Sequence, residues 1–547
     1  MSAPTPAPVM VEQKENIAHD EIVAGHVLPS PPSAPQAVAD VSPWNRLGSL
    51  ETMKLFRKTT ILCLLAGFNA CSDGFQFSLP GQIIANAGFI KQVGVKSANG
   101  TYALNAYNVS AWGGIYTGGY IAALLIATYP NDKLGRKFNL LCIQLFLAVA
   151  CILEMFTTDW RMWGAAKLFD GFSIGFNQAT LSTYISELAP TNARGSLLAM
   201  YQLWFTIGQF SAAIALYILS KTTPLEWKKA IYSEWLFTGI ALIIWVFLPE
   251  SPRWLASKGK HDRAKAILAR LNGSIDGYNV EREYAILLQE VEDGQKLLEA
   301  SNQMSYFALF RGTNLRRTLL SFGPFAWQTW LGVPIIFGYT SYYFQIAGLS
   351  QPFLGTVAVY VILLVFVIIS FWSVERIGRR PLLLVGGAVC VITMLINGAV
   401  ATQTFTTSIG SVIISMACLW CAAYALSAGP LGYVYLGEMS TVVLRAKTTG
   451  VAAAMTGVLN LITSYCVPIL LSTTAANWGV KGTSFFFAGT GAVGWVLVYF
   501  FVPETRGRSY LELDELFERR IPARKFASTQ TSVQTVSDMS RKGDEEA

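Results

Sequence analysis

Charges and histidines are scarce in this 547-residue sequence. Asp, Glu, Lys and Arg make up 14% of the residues, against about 25% in soluble domains. Apolar residues make up 52%, and the mean hydropathy is +0.41. The three histidines, His19, His26 and His261, all lie in polar stretches, so no apolar segment has a histidine that could relay protons or bind a metal. This composition predicts a membrane protein with several spans.

Signals for catalysis, disulfides or secretion are also missing. All eight cysteines lie inside apolar segments, which argues against an extracellular disulfide framework. Cys418 and Cys421 have the spacing of a redox motif, but their position within an apolar run favours packing. The sequence has no nucleotide-binding loop, metal-binding cluster or nucleophile–base pair, so we expect no enzyme activity, no metal and no cofactor. Residues 1–55 lack the apolar core of a signal peptide.

The net charge of +7 comes from Lys and Arg in short links and tails. The positive-inside rule accounts for this distribution better than nucleic-acid binding does. The link 130–138 has three basic residues in nine, which predicts that it and both termini are cytoplasmic. Residues 82–109 contain two N-glycosylation sequons, which begin at Asn99 and Asn108, and their only charges are Lys91 and Lys96. We therefore expect this link on the outer side, with both asparagines as acceptors.

Twelve apolar segments of about the length that a bilayer requires follow one another along the chain. They lie at about 59–81, 110–129, 139–157, 161–185, 197–219, 232–248, 317–347, 353–374, 381–402, 409–437, 448–472 and 484–502. The predicted fold is an all-α membrane protein of twelve transmembrane helices in two six-helix halves. The predicted divisions are a disordered cytoplasmic tail (1–57), an N-terminal half (58–248), a cytoplasmic connector with short helices (249–316), a C-terminal half (317–502) and a cytoplasmic tail (503–547).

Three charged motifs occur in the same order before and after the connector. In the first half these are Asp132-Lys-Leu-Gly-Arg-Lys137, then Glu187 and Arg194 seven residues apart, then Pro249-Glu-Ser-Pro-Arg253. In the second half they are Glu375-Arg-Ile-Gly-Arg-Arg380, then Glu438 and Arg445, then Pro503-Glu-Thr-Arg506. Three matches in one order indicate two homologous halves.

With these motifs the chain resembles the sugar porters of the major facilitator superfamily over about residues 58–526. Residues 332–349, 477–489 and 510–526 resemble, more narrowly, the fungal general α-glucoside permeases. The resemblance implies a plasma-membrane carrier that moves an α-glucoside or another sugar by alternating access. It implies a sugar and the lipid bilayer as partners, a proton as co-substrate, and a monomer as the working unit.

One acidic residue lies deep in the first span. Asp73 is about fourteen residues into it, near the bilayer midplane, where a charge is costly unless it has a function. The α-glucoside permeases resemble one another in a Glu-Gly-Tyr-Asp sequence here, whereas this chain reads Asp73-Gly-Phe-Gln76. We expect Asp73 to carry the coupled proton and Lys167, where many sugar porters have an arginine, to be its cation. In the alternative, Lys167 and Asp170 merely neutralise each other one turn apart.

Sugar hydroxyls need groups that both donate and accept hydrogen bonds, and neutral amides do both. Three amides match family positions near the sugar, and an aromatic residue takes the place of a family tryptophan. The predicted substrate-binding residues are Gln202, Gln328, Asn460, Tyr433, Gln76 and Tyr339. Tyr433 would stack on a sugar ring and Tyr339 would belong to an extracellular gate, although packing and interfacial roles are open for both. Gln178 and Gln209 are weaker candidates.

The resemblance also implies a role for the paired charged motifs. Cytoplasmic salt bridges would form when the carrier is open to the outside and break when it is open to the inside. The predicted gating residues are Asp132, Arg136, Glu187, Arg194, Glu375, Arg379, Glu438 and Arg445. Static anchoring of the topology is the other interpretation.

Other functions stay open at this stage. Gln76 cannot take up a proton, which leaves room for a facilitative carrier without coupling. A sugar sensor is a second alternative, although sensors that resemble this family usually have longer tails. A carrier of a non-sugar metabolite is a third, because residues 328–334 lack the second Gln and the Asn of hexose porters.

Overall fold

The computed structural model describes residues 44, 47–96, 100, 102–404, 406–441, 443–472, 474–532 and 534, without the side chain of Glu375. The predicted acceptor Asn99 lies outside the described residues. From Gly48 onward the helices form one compact unit.

Twelve helical segments, called spans 1 to 12 in chain order, cross the bundle. In the first half they are Arg57–Gly67 with Asn69–Ile83, Ala106–Lys133, Arg136–Met155, Trp160–Leu188, Arg194–Thr222 and Lys228–Phe247. In the second half they are Gly312–Trp330 with Pro334–Gly338 and Thr340–Ile346, Pro352–Ile377, Arg379–Val400, Thr407–Leu426 with Ala428–Glu438, Arg445–Leu471 and Gly479–Phe501. The predicted all-α fold of six plus six helices is confirmed.

Nine helices in the described part are long and apolar enough to cross a membrane by themselves. The other three segments are spans 1, 4 and 7. Span 4 carries charged side chains along its length, and spans 1 and 7 are broken. Span 1 breaks at Phe68, and Asn69 there donates to the carbonyl of Ala66 at 2.8 Å. Interrupted spans of this kind line binding sites in transporters.

Shorter elements lie outside the spans. The link between spans 1 and 2, predicted to be merely polar, contains the helix Ala87–Val93 and a two-stranded antiparallel ribbon that pairs Val95–Lys96 with Tyr102–Ala103. The connector contains Pro252–Ser257, His261–Asn272, Val280–Gln303 and the 3-10 turn Tyr306–Phe310. The helix Tyr510–Glu518 and the 3-10 turn Ala523–Lys525 follow span 12.

The even number of spans in each half brings the connector and the link between spans 2 and 3 to the same face of the bundle. Trp254 of the connector donates its indole N–H to the carbonyl of Asp132, in the last turn of span 2 before that link, at 2.9 Å. This face is called the connector face, and the opposite one, with the helix Ala87–Val93, the far face.

Small residues allow the spans within a half to pack closely. A Cβ on Gly74 would lie 1.9 Å from the carbonyl oxygen of Phe205, so spans 1 and 5 touch through their backbones. Gly171 and Gly175 of span 4 meet span 2 in the same way, with a Cβ on Gly171 falling 2.2 Å from the carbonyl oxygen of Tyr116. Close approach of this kind is how membrane helices gain packing energy without a hydrophobic driving force.

The two halves meet in the far half of the bundle. A Cβ on Gly81, near the end of span 1, would lie 1.3 Å from the carbonyl oxygen of Gly338 in span 7. The hydroxyl of Ser78 donates to Tyr360 of span 8 at 2.8 Å. Spans 2 and 11 also pack together, and their contact is described with the site below.

Candidate functional site

A charged cluster is buried inside the N-terminal half. The ammonium of Lys167 donates to Asp170 at 2.7 Å, to the side-chain oxygen of Gln76 at 3.0 Å and to Glu154. The amide nitrogen of Gln76 donates in turn to Glu234 at 2.7 Å and to Glu154 at 3.3 Å. Spans 1, 3, 4 and 6 each contribute to this Lys167 cluster, and its residues are at most 3% exposed.

The charges of the Lys167 cluster do not balance. Three carboxyl groups surround one ammonium, so the cluster would carry a net charge of −2 if every group were ionised. An uncompensated charge away from water is very costly, and a carboxyl group in that position holds a proton instead. Glu234 receives a hydrogen bond from Gln76 but contacts no cation, and its second oxygen has no hydrogen-bond partner among the described residues. Glu234 is therefore the carboxyl group best placed to be protonated.

The predicted pair of Asp73 with Lys167 does not form in this structure. Lys167 contacts Asp170, as the alternative interpretation had it, and also Glu154, whereas Asp73 accepts a hydrogen bond from Asn177 of span 4. Asn177 lies ten residues after Lys167, about 15 Å along a helix, so the two contacts are at different depths. Gln76, predicted to bind substrate, has its amide engaged in the Lys167 cluster.

Asp73 forms a second buried acidic site, 2% exposed. Asn177 donates a hydrogen bond to it, and Tyr116 and Tyr201 lie within its electrostatic range. Tyr116 also lies within range of Asp170, and its buried hydroxyl has no hydrogen-bond partner in the described part of the chain. Tyr116 is therefore within electrostatic range of both Asp73 and the Lys167 cluster.

Tyrosines and amides from both halves meet beside Asp73. Tyr433 of span 10 lies within electrostatic range of Tyr120 and Tyr201, and its hydroxyl interacts with Gln178 of span 4. Tyr120 donates to the same Gln178. Tyr433 is 51% exposed and packs its ring edge on Phe325 of span 7, with centroids 4.8 Å apart. These neutral groups face one another across the two halves and offer both donors and acceptors.

The amides of the C-terminal half border this group and also have structural contacts. Gln328 donates to the carbonyls of Ala428 at 2.6 Å and Gly429 at 3.0 Å, next to the break in span 10. Its side-chain oxygen lies 3.5 Å from the hydroxyl of Tyr424. Asn460 of span 11 accepts from Thr329 at 3.0 Å. Gln328 therefore stabilises the irregular backbone beside Tyr433 and keeps only its oxygen for a ligand.

The remaining predicted substrate residues lie elsewhere on the bundle. Gln202 is exposed on span 5, next to Tyr201, and Gln209 is buried on the same span. Tyr339 is buried at the far-half contact between the halves, where its hydroxyl donates to the carbonyl of Ser464 at 3.3 Å. Thr117 of span 2 lies 3.4 Å from the hydroxyl of Ser464. Tyr339 thus stands where a gate on the far side would close.

The charged motifs lie at the connector face and pair within their own halves. Arg136 binds Glu187 through two hydrogen bonds of 3.0 and 2.9 Å and lies 3.6 Å from Asp132. Arg379 lies 3.4 Å from Glu438. The side chain of Glu375 is outside the description.

Among the described side chains, the arginines that end the second motif have no such ion pair. Arg194 and Arg445 have buried side-chain nitrogens without hydrogen-bond partners in the described region, and Arg445 lies over the ring of Tyr510 at 4.2 Å.

The third motif has a role that the sequence alone did not suggest. Glu250 accepts from the backbone N–H groups of Arg136 and Lys137 at 3.0 to 3.3 Å, and so stabilises the start of span 3. Glu504 likewise accepts from backbone N–H groups at the start of span 9, from that of Arg379 at 3.1 Å and that of Arg380 at 3.0 Å. The two halves therefore repeat a contact as well as a sequence.

Sequence reasoning also missed Glu154 and Glu234. Glu154 is the residue before the last of span 3, and Glu234 lies in the second turn of span 6. The rule that an ionisable residue inside an apolar span has a function applies to both and would have found them.

A separate groove of about 530 Å³ lies between spans 2 and 4 and is lined by residues such as Gly118 and Trp160. Its lining is apolar except for Arg161. A groove of this composition suits an apolar group and not a sugar.

Comparison with known proteins agrees with this architecture. The chain is similar to "MFS transporter fmqE" of Aspergillus fumigatus, at 27% identity over 96% of this chain and 97% of that protein. It is similar to "Maltose permease MAL61" of Saccharomyces cerevisiae, at 27% identity over 88% and 79%. Among solved structures it shares its fold with the inward open xylose transporter XylE of E. coli, with a TM-score of 0.69 at 20% identity over 84% of this chain and 99% of XylE.

The family described as "Sugar (and other) transporter" matches residues 62–517, which is most of the chain. The resemblance on which the sequence analysis relied is confirmed. This chain is a membrane carrier with the major facilitator fold, and it belongs to the sugar (and other) transporter family.

Proposed function

We propose that this chain moves a sugar across the membrane by alternating access, the two halves rocking about the polar group between them. The observation that carries the proposal is the neutral set of Tyr120, Gln178, Tyr201 and Tyr433 at that boundary. Hydroxyl and amide groups complement sugar hydroxyls, and aromatic rings complement the apolar faces of a sugar. Similarity to maltose permeases and hexose transporters supports an α-glucoside or another sugar as substrate.

The proposed orientation puts the connector face and both termini in the cytoplasm of a cell whose plasma membrane holds the protein. The basic residues at that face support it through the positive-inside rule. In this orientation the contacts between the halves lie toward the outside, and the conformation described is the one open to the cytoplasm. We propose a monomer as the working unit. Asn108, in the first turn of span 2 on the outer side, is the described candidate for glycosylation.

Uptake of radiolabelled glucose, maltose, trehalose, lactose and inositol by yeast cells that express the protein tests the substrate class. We expect uptake of at least one of these compounds, competed by its unlabelled form and lost in the Tyr433→Ala variant. Tyr499→Ala, which removes a tyrosine near the end of span 12, is the matched control and should keep uptake. Uptake of none of the five compounds by a surface-expressed protein would favour a non-sugar metabolite.

We also propose that transport is coupled to protons. Asp73 would be the carboxyl group that exchanges the proton, and Lys167 would be the cation that partly neutralises the carboxylates of the neighbouring Lys167 cluster. Asp73 is buried, contacts no cation among the residues that the structure describes, and lies within electrostatic range of Tyr201, one of the sugar-facing tyrosines. Tyr116 would connect it electrostatically with Asp170. A carboxyl group can couple transport if its surroundings stabilise the neutral form in one state and the charged form in the other.

A protonophore separates coupled from facilitative transport. Coupled transport predicts accumulation against a gradient that the protonophore abolishes, and an Asp73→Asn variant that exchanges sugar but no longer accumulates it. Asp276→Asn, at an exposed carboxylate of the connector outside the proposed sugar, proton and gating sites, is the control for loss of a negative charge. Equal accumulation with and without the protonophore would favour the facilitative alternative, which the amide at Gln76 leaves open.

For the gating residues we propose a change of partners. Arg194 and Arg445 would bind acidic residues of the opposite half when the connector face closes, which would satisfy the nitrogens that lack partners here. Asp132, Arg136, Glu187, Glu375, Arg379 and Glu438 would form the rest of this network. Arg445→Gln should shift the protein toward the conformation open at the connector face, with weaker sugar uptake and unchanged expression.

A further inference from the structure

An aromatic cage separates the Lys167 cluster from the far face. Phe89, on the short helix Ala87–Val93, is fully buried among three indole rings. The ring centroids lie 4.9 Å away for Trp163, 5.1 Å for Trp227 and 5.9 Å for Trp112, all in edge-to-face arrangements. The indoles come from the far ends of spans 2, 4 and 6, so the short helix closes the top of the N-terminal half.

The cage lies directly over the charges. The Lys167 ammonium is 4.5 Å from the ring of Trp163, which therefore contacts Phe89 on one side and the cluster on the other. Lys167 is seven residues after Trp160, where span 4 begins at the far face, or about 10 Å along the helix. Glu154 is one residue from the far end of span 3, and Glu234 is six residues into span 6. The cluster is thus close to the far aqueous phase, with the cage above it.

Specific contacts hold the short helix in place. Gln92 donates to the carbonyl of Thr157 at 2.8 Å and accepts from the indole N–H of Trp227 at 3.0 Å. A Cβ on Gly88 would lie 2.3 Å from the carbonyl oxygen of Leu225, so the short helix and the loop between spans 5 and 6 touch through their backbones. Both tethers join the helix to its own half, and it can stay seated while the two halves rock.

We propose that the helix Ala87–Val93, through Phe89, is a fixed seal that stops protons passing from the far face directly into the Lys167 cluster. The groups below it are Lys167, Asp170, Glu154 and Glu234, with Gln76 between them and the thiol of Cys151 within electrostatic range of Glu234. A seal forces protons to reach the cluster from the side of Asp73 and the sugar, where the rocking halves control access. Phe89 is thus a positioning residue for tight coupling, an inference that rests on the proton coupling proposed above.

The test measures sugar-independent proton entry into liposomes that contain the full chain, with a pH dye inside and an imposed pH gradient. Phe89→Ala should raise this proton entry several-fold over wild type while sugar exchange continues. Phe353→Ala is the matched control, because Phe353 is a buried phenylalanine at the far end of span 8 in the other half, with no described cluster of this kind beneath it. It should leave proton entry at the wild-type level.

Gly88→Ala is a second variant that should open the proposed seal. It forces the short helix away from Leu225 without removing an aromatic ring, and it decides the question if Phe89→Ala does not fold. A folded variant that exchanges sugar and shows no added proton entry overturns the seal, as does an equal rise in Phe353→Ala. If wild type shows no sugar-driven proton uptake, the coupling proposal fails, but the leak measurement still tests the seal because it uses no sugar.

Discussion

At the scale of the residue, we expect the substitution of Lys167 to have the most severe effect on sugar uptake and stability. Lys167→Met would leave Glu154 and Asp170 buried without a cation, and breaking a buried ion pair from one side costs about 3–5 kcal/mol. We expect loss of sugar uptake and a lower thermal unfolding temperature of the purified protein in detergent. Lys167→Arg should keep part of the sugar uptake and part of the thermal stability, because it keeps the positive charge.

Lys265 provides the matched comparison for Lys167. It pairs with Glu281 at 2.5 Å in the connector, but both side chains are solvent-accessible. Exposed ion pairs contribute little to stability because water screens them, so Lys265→Met should change neither uptake nor unfolding temperature much. Equal effects of the two substitutions would show that burial does not make the Lys167 cluster critical.

Individual residues also show what a single sequence can and cannot predict about a site. Asp73 and Lys167 stand out because each is a charge in the middle of an apolar run. Their partners did not follow, because Glu154, Asn177 and Glu234 come from distant positions that only the packing of spans 3, 4 and 6 brings together. Gln76 is the clearest example, since an amide predicted to face sugar instead bridges Lys167 and Glu234.

At the scale of the element, the contact between spans 1 and 7 depends on a glycine. A Cβ at position 81 would lie 1.3 Å from the carbonyl oxygen of Gly338, a distance that real atoms do not reach. We expect Gly81→Ala to fold but to prevent closure of the far side, which abolishes uptake. Gly118→Ala is the control, because no neighbouring atom lies within 4 Å of a Cβ there. Uptake by Gly81→Ala at the level of Gly118→Ala would rule out this role.

The segment after span 12 docks through hydrogen-bonded carboxylates. Burial alone would raise the pKa of Glu512, but hydrogen bonds from Ser509, Thr531 and Arg508 outweigh it and lower that pKa below its usual value. A group whose pKa is lower in the folded state stabilises docking above its unfolded pKa, near 4.3, and loses that effect as the pH falls through the folded value.

Tryptic cleavage after Arg519 and Arg520 measures this docking. We expect the docking of the wild-type segment not to change between pH 6 and 8, because the whole titration of Glu512 lies below that range. Its protection from cleavage should therefore be the same at every pH in the range. Glu512→Gln should be cleaved several-fold faster at every pH in the range. Glu518→Gln, at an exposed side chain of the same helix, should be cleaved like wild type.

The membrane-spanning helices were easier to predict from the sequence than the breaks within them. Apolar length alone was enough to find spans such as Pro352–Ile377 and Arg379–Val400. The break of span 10 at Ser427 was not predicted, because the hydrogen bonds that stabilise it come from Gln328 in span 7, which only the packing of the helices brings there. Tertiary contacts, which a one-dimensional pattern does not contain, decide such breaks.

At the scale of the whole molecule, the two halves repeat their construction down to single hydrogen bonds. Tyr184 of span 4 donates to the carbonyl of Pro249 at 2.7 Å, and Tyr435 of span 10 donates to the carbonyl of Pro503 at 3.0 Å. The repeated motifs in the sequence predicted this symmetry. The buried charges break it, because the Lys167 cluster belongs to the first half and the corresponding spans of the second half have neutral side chains at their centres. In the proposed mechanism the proton-exchanging groups therefore belong to one half, whereas both halves contribute to the sugar site.

A reversible lock between the halves tests whether transport requires them to separate at the far side. Thr117 and Ser464 lie 3.4 Å apart across spans 2 and 11, within reach of a disulfide if both become cysteine. In a Cys466→Ser background, oxidation of Thr117→Cys with Ser464→Cys should abolish uptake, and a reducing agent should restore it. Ser341→Cys with Thr356→Cys, a pair 2.8 Å apart within the second half, should cross-link without loss of uptake. Undiminished uptake by the oxidised first pair would mean that the halves do not separate there, and the alternating-access proposal would not survive that result.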